Sequence, residues 1–307
     1  MSFKSATESV LSEFRHRPTI RAGSLIITVF GDAIAPRGGT VWIGSLIQAL
    51  ADFGVSERLV RTSVFRLTRD HWLEVNQVGR RSYYSLSAEG ATKFEQATER
   101  IYGDPRRSWN GDWCLVLLDG VDSEQKDTAR KELGWLGFGS MSANVLAQPK
   151  PRLPAVEALL KRVGIERQAV VLTGSTPGGK QDDAMRALVH RSWNLADLDR
   201  RYSEFIRRFR PVYRAAAKSR RIDLRLAFQV RTLLIQEYRR ILLRDPLLPA
   251  ELLAAGWNGT SAYQLCRNLY RLIYRAADEF MTNALETAEG PLPPPAAEFH
   301  RRFGGLD

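Results

Sequence analysis

The segment from residue 41 to residue 86 has the most constraining pattern in this sequence of 307 residues. A short apolar run at residues 43–50 ends in a break at Gly54, a residue that suits a turn with positive φ. Ser56 follows where an N-cap belongs, because its hydroxyl can accept from the first turn of a helix. Two alternating runs about a Gly-Arg-Arg tip complete the segment. Helix, tight turn, capped helix and hairpin in this order predict a winged helix-turn-helix.

The second helix of this segment divides into an apolar side and a basic side. Val60, Val64 and Leu67 fall at i, i+4 and i+7, which predicts one buried stripe. Arginines occupy the other faces with little acid to balance them, and arginine pairs bidentately with guanine in the major groove. A solvated basic helix inside an ordinary helical domain is the alternative. The predicted DNA-binding residues are Ser56, Arg58, Arg61, Thr62, Arg66, Arg69, Arg80 and Arg81.

The positive charge of the chain is concentrated outside this segment. The formal net charge is +11 and the sequence pI is about 9.9, which favours an acidic partner. Residues 1–102 contain 13 Lys+Arg and 10 Asp+Glu, a net charge of +3, whereas residues 190–245 contain 15 and 6, a net charge of +9. The C-terminal section is therefore expected to contact the DNA backbone as well, or to bind a small polyanion.

Composition predicts a soluble protein of a reducing compartment. The chain is 44% hydrophobic and 26% charged, as in globular proteins. Cys114 and Cys266 form neither a disulfide framework nor a metal motif, and each is expected to be a buried free thiol. The N-terminus has no continuous apolar segment of the kind found in signal peptides or membrane spans. We therefore expect a cytoplasmic protein.

The pattern along the chain predicts an α+β multidomain fold. After twenty polar residues with little expected order, apolar residues over 22–34 predict the first helix of the DNA-binding domain. Elements between residues 112 and 173 follow the β-α-β-β-α-β order of a ferredoxin-like unit, and the section after them is nearly all helix. The predicted domains are the winged helix-turn-helix with a trailing helix (1–102), the ferredoxin-like central domain (108–174), an all-helical C-terminal effector and dimerisation domain (185–289), and an extended Pro-rich tail (290–307).

Three stretches of the sequence resemble the PaaX family, the repressors of phenylacetic acid degradation operons. They are residues 54–67 (GVSERLVRTSVFRL) with Trp72-Leu73, residues 109–116 (WNGDWCLV), and residues 245–249 (DPLLP) with 256–259 (GWNG) and Ala262-Tyr263. The resemblance covers nearly the whole chain, and the third stretch is much less generic than a helix-turn-helix. The chain departs from the family pattern at His71, where we expect glycine.

The resemblance implies the same three-part architecture and a homodimeric repressor that phenylacetyl-CoA releases from double-stranded operator DNA. It implies no enzyme activity, no cofactor and no metal. A regulator of the same fold that answers to another acyl-CoA or aromatic acid is the alternative. C-terminal arginines suit the phosphates of CoA and aromatic side chains suit an aryl pocket, although a solvated helix face and core packing explain the same patterns. The predicted effector-binding residues are Arg207, Arg208, Arg214, Trp257, Tyr263 and Tyr270.

Enzymatic readings of the sequence have weak support. Asp119 ends the first strand of the middle unit, and a small CRISPR-associated nuclease of similar topology has a metal-binding Asp there. A lone carboxylate at a strand end is more often a cap or turn residue, and no second acid completes a metal pair. The histidines have no ligand spacing, and residues 175–180 lack the spacing of a phosphate-binding loop, which favours a linker. We predict no catalytic residue, and a metal-dependent nuclease is the alternative from another class.

Overall fold

The computed structural model describes residues 1–104, 109–149, 153–176 and 183–306. The chain divides into two compact units, each assembled from separated stretches of sequence. Unit 1 comprises Met1–Asp104, Ser203–Leu243 and Thr260–Asp307, and unit 2 comprises Pro105–Tyr202 and Arg244–Gly259. Unit 1 therefore combines segments from both ends of the chain.

The expectation that the first twenty residues have little order is wrong. Helix α1 (Phe3–Arg15) begins at an N-cap formed by Ser2, whose side chain accepts from the backbone N–H of Ser5. Val10 and Phe14 are among its buried residues, and the Phe14 ring lies edge-on to Phe53 with centroids 6.3 Å apart. An apolar stripe at helical spacing is present in this segment, interspersed with enough polar residues to resemble a solvated tail.

The elements predicted for residues 22–86 are present in unit 1 in the expected order. The predicted first helix is α2, which continues into one π-helical turn at Phe30–Ile34. The strands β1, β3 and β2 form an antiparallel sheet in that spatial order. The elements are α2 (Ala22–Val29), β1 (Thr40–Trp42), α3 (Ile43–Ala51), α4 (Glu57–Arg69), β2 (Leu73–Val78), β3 (Arg81–Leu86) and α5 (Ala88–Tyr102).

Helices from the C-terminal half complete unit 1. Helix α10 is buried over most of its length and contacts α1, α2 and α5. The predicted all-helical domain was expected to reach residue 289, but its last helix ends at Ala284 and a small hairpin of β8 and β9 follows, with Gly290 at φ 131°. The elements of this half are α8 (Asp183–Ser192), α9 (Leu195–Lys218), α10 (Leu224–Leu242), α11 (Asn258–Ala284), β8 (Glu286–Thr287) and β9 (Gly290–Pro291).

A buried carboxylate in the π-helical turn joins four segments of unit 1. Asp32 is 3% exposed and accepts from the Arg231 Nε at 2.7 Å and from an Arg302 guanidinium N–H at 3.0 Å. The hydroxyls of Tyr102 and Tyr270 donate to the same carboxylate at 2.6 and 2.9 Å. Burial alone would raise the pKa of Asp32, but the charges of Arg231 and Arg302 outweigh it and hold the pKa below its usual value. Asp32 is therefore an ionised carboxylate at neutral pH.

The Pro-rich segment after α11 packs on unit 1, whereas the sequence predicts an extended tail. Its backbone carries a hydrogen bond from the Ala296 N–H to the Pro36 carbonyl at 2.8 Å, and Phe299 and Phe303 are buried. Arg302 is 6% exposed and binds Asp32. Apolar and arginine side chains in the last fifteen residues hold this segment in place, and the prolines that precede them mask that role in the sequence.

The central section of unit 2 has the predicted ferredoxin-like fold. Its four strands form one antiparallel sheet in the order β5-β6-β4-β7, which is the strand order that a βαββαβ unit requires. Cys114, Val116, Leu133 and Leu160 belong to its buried core. The elements are β4 (Asp112–Leu117), α6 (Ser123–Trp135), β5 (Gly139–Ser140), β6 (Val145–Pro149), α7 (Leu153–Val163) and β7 (Val170–Ser175).

The DPLLP and GWNG stretches are structural elements of unit 2. Asp245 accepts from the Tyr202 hydroxyl at 2.6 Å and from the Leu247 backbone N–H at 2.7 Å. Asn258 donates to the Asp199 carboxylate through both its backbone and its side chain, at 3.0 and 2.9 Å. These stretches stabilise turns in unit 2 through their side-chain hydrogen bonds.

Replacing Asp32 with Asn should destabilise unit 1 severely. The change leaves Arg231 and Arg302 buried without their shared carboxylate, a type of loss that costs about 3–5 kcal/mol. Chemical denaturation of the two proteins measures the difference. Asp70→Asn is the control, because its ion pair with Arg69 is exposed and should contribute less than about 1 kcal/mol. Equal small losses for the two variants would contradict the role given to Asp32.

Candidate nucleic-acid interface

Helix α4 packs one side against other elements of unit 1 and exposes the opposite side to solvent. Val60 and Val64 are fully buried, as predicted, and the helix contacts α2, α3 and β2. Leu67 is half-buried. Ser56 is the N-cap that the sequence indicated, since its hydroxyl accepts from the Leu59 N–H at 3.3 Å. The exposed residues of the outer side are Arg58, Arg61, Thr62, Phe65, Arg66 and Arg69.

The four arginines of the outer side differ in their partners. Arg61 pairs with Glu57 at 2.8 Å and Arg69 with Asp70 at 3.0 Å, and all four side chains are more than half exposed. Exposed pairs of this kind contribute little free energy and are easily exchanged for another anion. Arg58 and Arg66 form no ion pair with any residue in the described part of the chain. The surface is thus a cationic strip that internal carboxylates neutralise only weakly.

The hairpin of β2 and β3 presents Arg80 at its tip. Val78 pairs with Arg81, which leaves Gly79 and Arg80 as a two-residue turn. Gly79 has φ 61° and Arg80 is outside the positive-φ region, the pattern of a type II′ turn. Arg81 differs from its neighbour because it pairs with Glu286 at 3.0 Å and lies over the Trp42 ring at 4.3 Å. Both arginines are exposed, and Arg81 in addition joins the hairpin to β1 and β8.

Thr62 and Ser56 are exposed, but the hydroxyl of each already forms a hydrogen bond within the helix. The Thr62 hydroxyl donates to the Arg58 carbonyl at 2.8 Å, and its oxygen can still accept a hydrogen bond. Because the Ser56 hydroxyl serves the N-cap, its first contribution is to hold the N-terminus of α4 in place. The arginines therefore carry most of the chemistry of this surface.

Comparison with known proteins connects this surface to a family. Residues 21–90 match the family model described as PaaX-like protein, residues 106–186 the PaaX protein central Cas2-like domain, and residues 193–283 the PaaX-like protein C-terminal domain. A protein named Transcriptional repressor PaaX, from Escherichia coli (strain K12), is 39% identical over 285 residues, which cover 92% of this chain and 90% of that protein. The chain belongs to the PaaX family.

One solved structure is also similar to the chain. It is described as uncharacterized protein Rv0674 from Mycobacterium tuberculosis, with 22% sequence identity and a TM-score of 0.49, and the match covers 77% of this chain and 89% of that one. Within the PaaX family match, every predicted DNA-binding residue lies in the first matched range. Helix α1 and the tail that supplies Arg302 lie outside all three ranges.

The predicted effector-binding arginines lie on α9 and have different environments. Arg207 and Arg214 are exposed. Arg208 is half-buried and donates to both carboxylate oxygens of Glu13, and also pairs with Glu237 at 3.1 Å. Burial lowers the pKa of Arg208 and its bond to Glu13 raises it, with a net rise. A phosphate at Arg208 would have to displace the carboxylates of Glu13 and Glu237. The helical pattern of the sequence gives no sign of these two partners.

The predicted effector-binding aromatic residues are packed into their units. Tyr270 is fully buried, its hydroxyl donates to Asp32, and burial raises its pKa. Tyr263 is 7% exposed and its ring lies 6.0 Å from that of Phe303. Trp257 belongs to unit 2, where its ring lies edge-on to Tyr202 at 5.9 Å. The contacts described for these three residues are with side chains of their own units.

Unit 1 contains a cavity that the sequence pattern does not predict. Its volume is about 470 Å³, within the range of small-molecule sites, and none of the six predicted effector residues lines it. Phe94, Phe299 and Arg302 are among its lining residues, and Glu95 and Glu298 line it from exposed positions. The end of β3 contributes another part of the wall, through Ser85 and Leu86.

The acidic residue proposed for metal-dependent chemistry has an amide partner. Asp119 follows β4 and accepts from the Asn144 side-chain amide at 2.6 Å. In the described ranges of the chain, no group of three His, Cys, Asp or Glu side chains is arranged to hold a metal ion. Within these ranges, no helix has the length and apolarity needed to span a bilayer. Residues 177–180 of the proposed linker lie outside the described residues.

Helix α4 ends in a left-handed residue, His71, at the position where we expected glycine. His71 has φ 56°, its N–H bonds to the Thr68 carbonyl at 3.1 Å, and the Trp72 N–H bonds to the Leu67 carbonyl at 2.8 Å. These two bonds form a Schellman motif, whose C′ position is glycine in most helices because a Cβ is unfavourable there.

Replacing His71 with Gly should therefore stabilise the protein. The strain energy removed from the folded state exceeds the entropic cost of ordering a glycine. We therefore expect the free energy of unfolding to rise by about 0.5–1 kcal/mol. His71→Ala removes the same imidazole and keeps a Cβ, so it should give no such gain. Thermal and chemical denaturation compare the variants; equal effects of Gly and Ala would count against this account of the helix end.

Proposed function

We propose that this protein is a homodimeric, sequence-specific DNA-binding transcriptional repressor, in which α3, α4 and the β2–β3 hairpin act as a winged helix-turn-helix. The observation that carries the proposal is the outer side of α4, where four exposed arginines have at most weak internal partners. A strip of this kind matches the negative potential of the major groove, and guanidiniums bind guanine edges bidentately. The name of the relative, Transcriptional repressor PaaX, supports the same reading.

On this proposal each copy inserts α4 into the major groove of one half-site. The operator is then an inverted repeat, with half-site centres separated by a whole number of helical turns. Arg80 at the hairpin tip contacts a phosphate or the adjacent minor groove, and Arg81 positions the hairpin through Trp42 and Glu286. Arg58, Arg61, Arg66 and Arg69 supply contacts to bases and phosphates.

The regulated genes and the effector follow from the family resemblance. We propose that the protein represses an operon for phenylacetate catabolism and leaves its operator when an aryl-CoA thioester such as phenylacetyl-CoA binds. Release requires that the thioester bind the two states unequally, by about 1–3 kcal/mol or more. Exposed Arg207 and Arg214 remain candidates for contact with CoA phosphates.

The aryl group of this effector is proposed to bind in the cavity of unit 1. The volume of about 470 Å³ suits an aryl group, and the rings of Phe94 and Phe299 suit its faces. Glu95 and Glu298 disfavour a carboxylate in the cavity, and Arg302 is already bound to Asp32. The neutral thioester group of an aryl-CoA is therefore accepted better than the carboxylate of the free acid. Ser85 and Leu86 link the cavity wall to the hairpin, which gives the ligand a route to the DNA-binding elements.

Arg61→Ala should lower affinity for the preferred DNA site and relax the preference at one base pair. Loss of one bidentate contact costs about 1–3 kcal/mol. The measurement uses a duplex that the wild-type protein selects from a random library, followed by titration of each variant against that duplex and its single-base substitutions.

Two companion variants separate base contacts from bulk charge. Arg167→Ala removes one exposed positive charge from unit 2 and should leave the affinity nearly unchanged. Arg80→Ala should weaken binding to all sequences alike and reduce the slope of log affinity against log salt by about 1. Wild-type affinity and selectivity in Arg61→Ala, or an equal loss in Arg167→Ala, would refute the assignment of α4.

Ala91→Leu should make the protein resistant to the effector. Ala91 lines the cavity, and the added side-chain volume occupies space that the aryl group needs. We expect the phenylacetyl-CoA concentration that dissociates the protein–DNA complex to rise at least about tenfold, since loss of about 1.4 kcal/mol suffices. Thr92→Leu places the same side chain on the neighbouring exposed position and should leave release unchanged.

The effector experiment also compares the thioester with phenylacetate and with free CoA. Release by phenylacetyl-CoA alone agrees with the proposed discrimination. Release by phenylacetate, or equal responses of Ala91→Leu and Thr92→Leu, would contradict the cavity assignment and leave the DNA-binding proposal intact.

A further inference from the structure

Phe65 is an exposed aromatic residue within the arginine side of α4. Its side chain is 68% exposed, and it makes no ring contact with the described aromatic residues. Arg61 and Thr62 precede it by four and three positions and Arg69 follows by four, so these residues share its helix face. Phe65 is absent from the predicted DNA-binding residues because it stands beside Val64, where the sequence pattern also suits a further core residue.

Packing in the core does not explain why an aromatic residue stands at position 65. Val60 and Val64 are fully buried and occupy the side of α4 that contacts α2, α3 and β2. Phe65 lies about 100° further round the helix from Val64 and projects away from that contact. A single exposed apolar side chain is common on protein surfaces, but this one stands at the centre of the surface proposed to meet DNA.

The chemistry of the major groove offers one apolar group to such a side chain. Base edges there present hydrogen-bond donors and acceptors, which suit arginine and threonine, and the C5-methyl group of thymine, which suits an apolar residue. An aromatic ring cannot satisfy the polar edges, and it gains by removing a methyl group from water. We propose that Phe65 is a specificity-determining residue that contacts the C5-methyl group of a thymine in each half-site.

This inference rests on the proposed function, because it requires α4 to lie in the major groove. Its test substitutes deoxyuridine for single thymines in the duplex selected by the wild-type protein. Deoxyuridine pairs as thymine does and lacks only the methyl group. We expect one substitution per half-site to lower the affinity of the wild-type protein by about 3–10-fold, the effect of one buried methyl group. Phe65→Ala should bind the thymine and deoxyuridine duplexes equally.

Two control variants isolate Phe65. Trp135→Ala removes another exposed aromatic side chain, 79% exposed and in unit 2, and should keep the thymine preference of the wild-type protein. Leu59→Ala removes another exposed apolar side chain of α4, 37% exposed and outside the predicted DNA-binding residues, and should also keep that preference. Because Phe65 is exposed, its replacement should leave the thermal unfolding curve unchanged.

The outcomes distinguish this inference from the proposed function. A wild-type protein that selects no DNA sequence contradicts the proposed function itself. A wild-type protein that selects a site but ignores every deoxyuridine substitution overturns the role of Phe65 alone. A thymine preference that survives in Phe65→Ala, or disappears in Leu59→Ala, overturns it as well. Dissociation of a dimer by Phe65→Ala with the preference intact would make Phe65 a contact between protein copies instead.

Discussion

The arrangement of unit 1 depends on one buried carboxylate. Asp32 binds side chains from α5, α10, α11 and the tail, which are separated from it by 70, 199, 238 and 270 positions in the sequence. A buried ionic cluster of this kind contributes little net stability compared with apolar packing, but removal of its centre takes the carboxylate partner of Arg302 and leaves Arg231 with Asp278 alone. The π-helical turn that contains Asp32 leads into β1 and α3. The segments that present α4 are therefore fixed by contacts to the far end of the chain.

Much of the local structure was predictable, because it follows from spacing between near neighbours. The capped helix at Ser56, the buried Val60 and Val64 and the strand order of the ferredoxin-like unit each have a periodic or positional signal. Asp32 has no such signal, since its partners are distant in sequence. For the same reason, an α9 arginine predicted to meet an effector proved to be bound to Glu13, on a helix that the polar N-terminal sequence concealed.

Residues that are equivalent in the sequence acquire different roles through their neighbours. Arg80 and Arg81 are adjacent arginines at a hairpin tip, yet Arg81 lies over Trp42 and pairs with Glu286 while Arg80 extends from the turn. The buried ion pairs of Asp32 cannot exchange for an external anion without large desolvation, whereas the exposed pairs of Arg61 and Arg69 can. Exposure, more than the number of arginines, separates the scaffold from the surface proposed to bind DNA.

Arg302 belongs both to the buried cluster of Asp32 and to the cavity of unit 1. It donates to Asp32 and also lines the cavity of unit 1, as do residues at the end of β3. If the cavity binds the aryl group, as proposed, the ligand contacts both the tail that completes the buried cluster and the strand that leads from the hairpin tip. Packed interiors resist gradual deformation. A ligand that displaced Arg302 or Phe299 would therefore cause a discrete shift of the elements that Asp32 holds together. Such a shift needs to change the setting of α4 only slightly, because the base contacts proposed for its arginines and for Phe65 all depend on the fit of one helix in one groove.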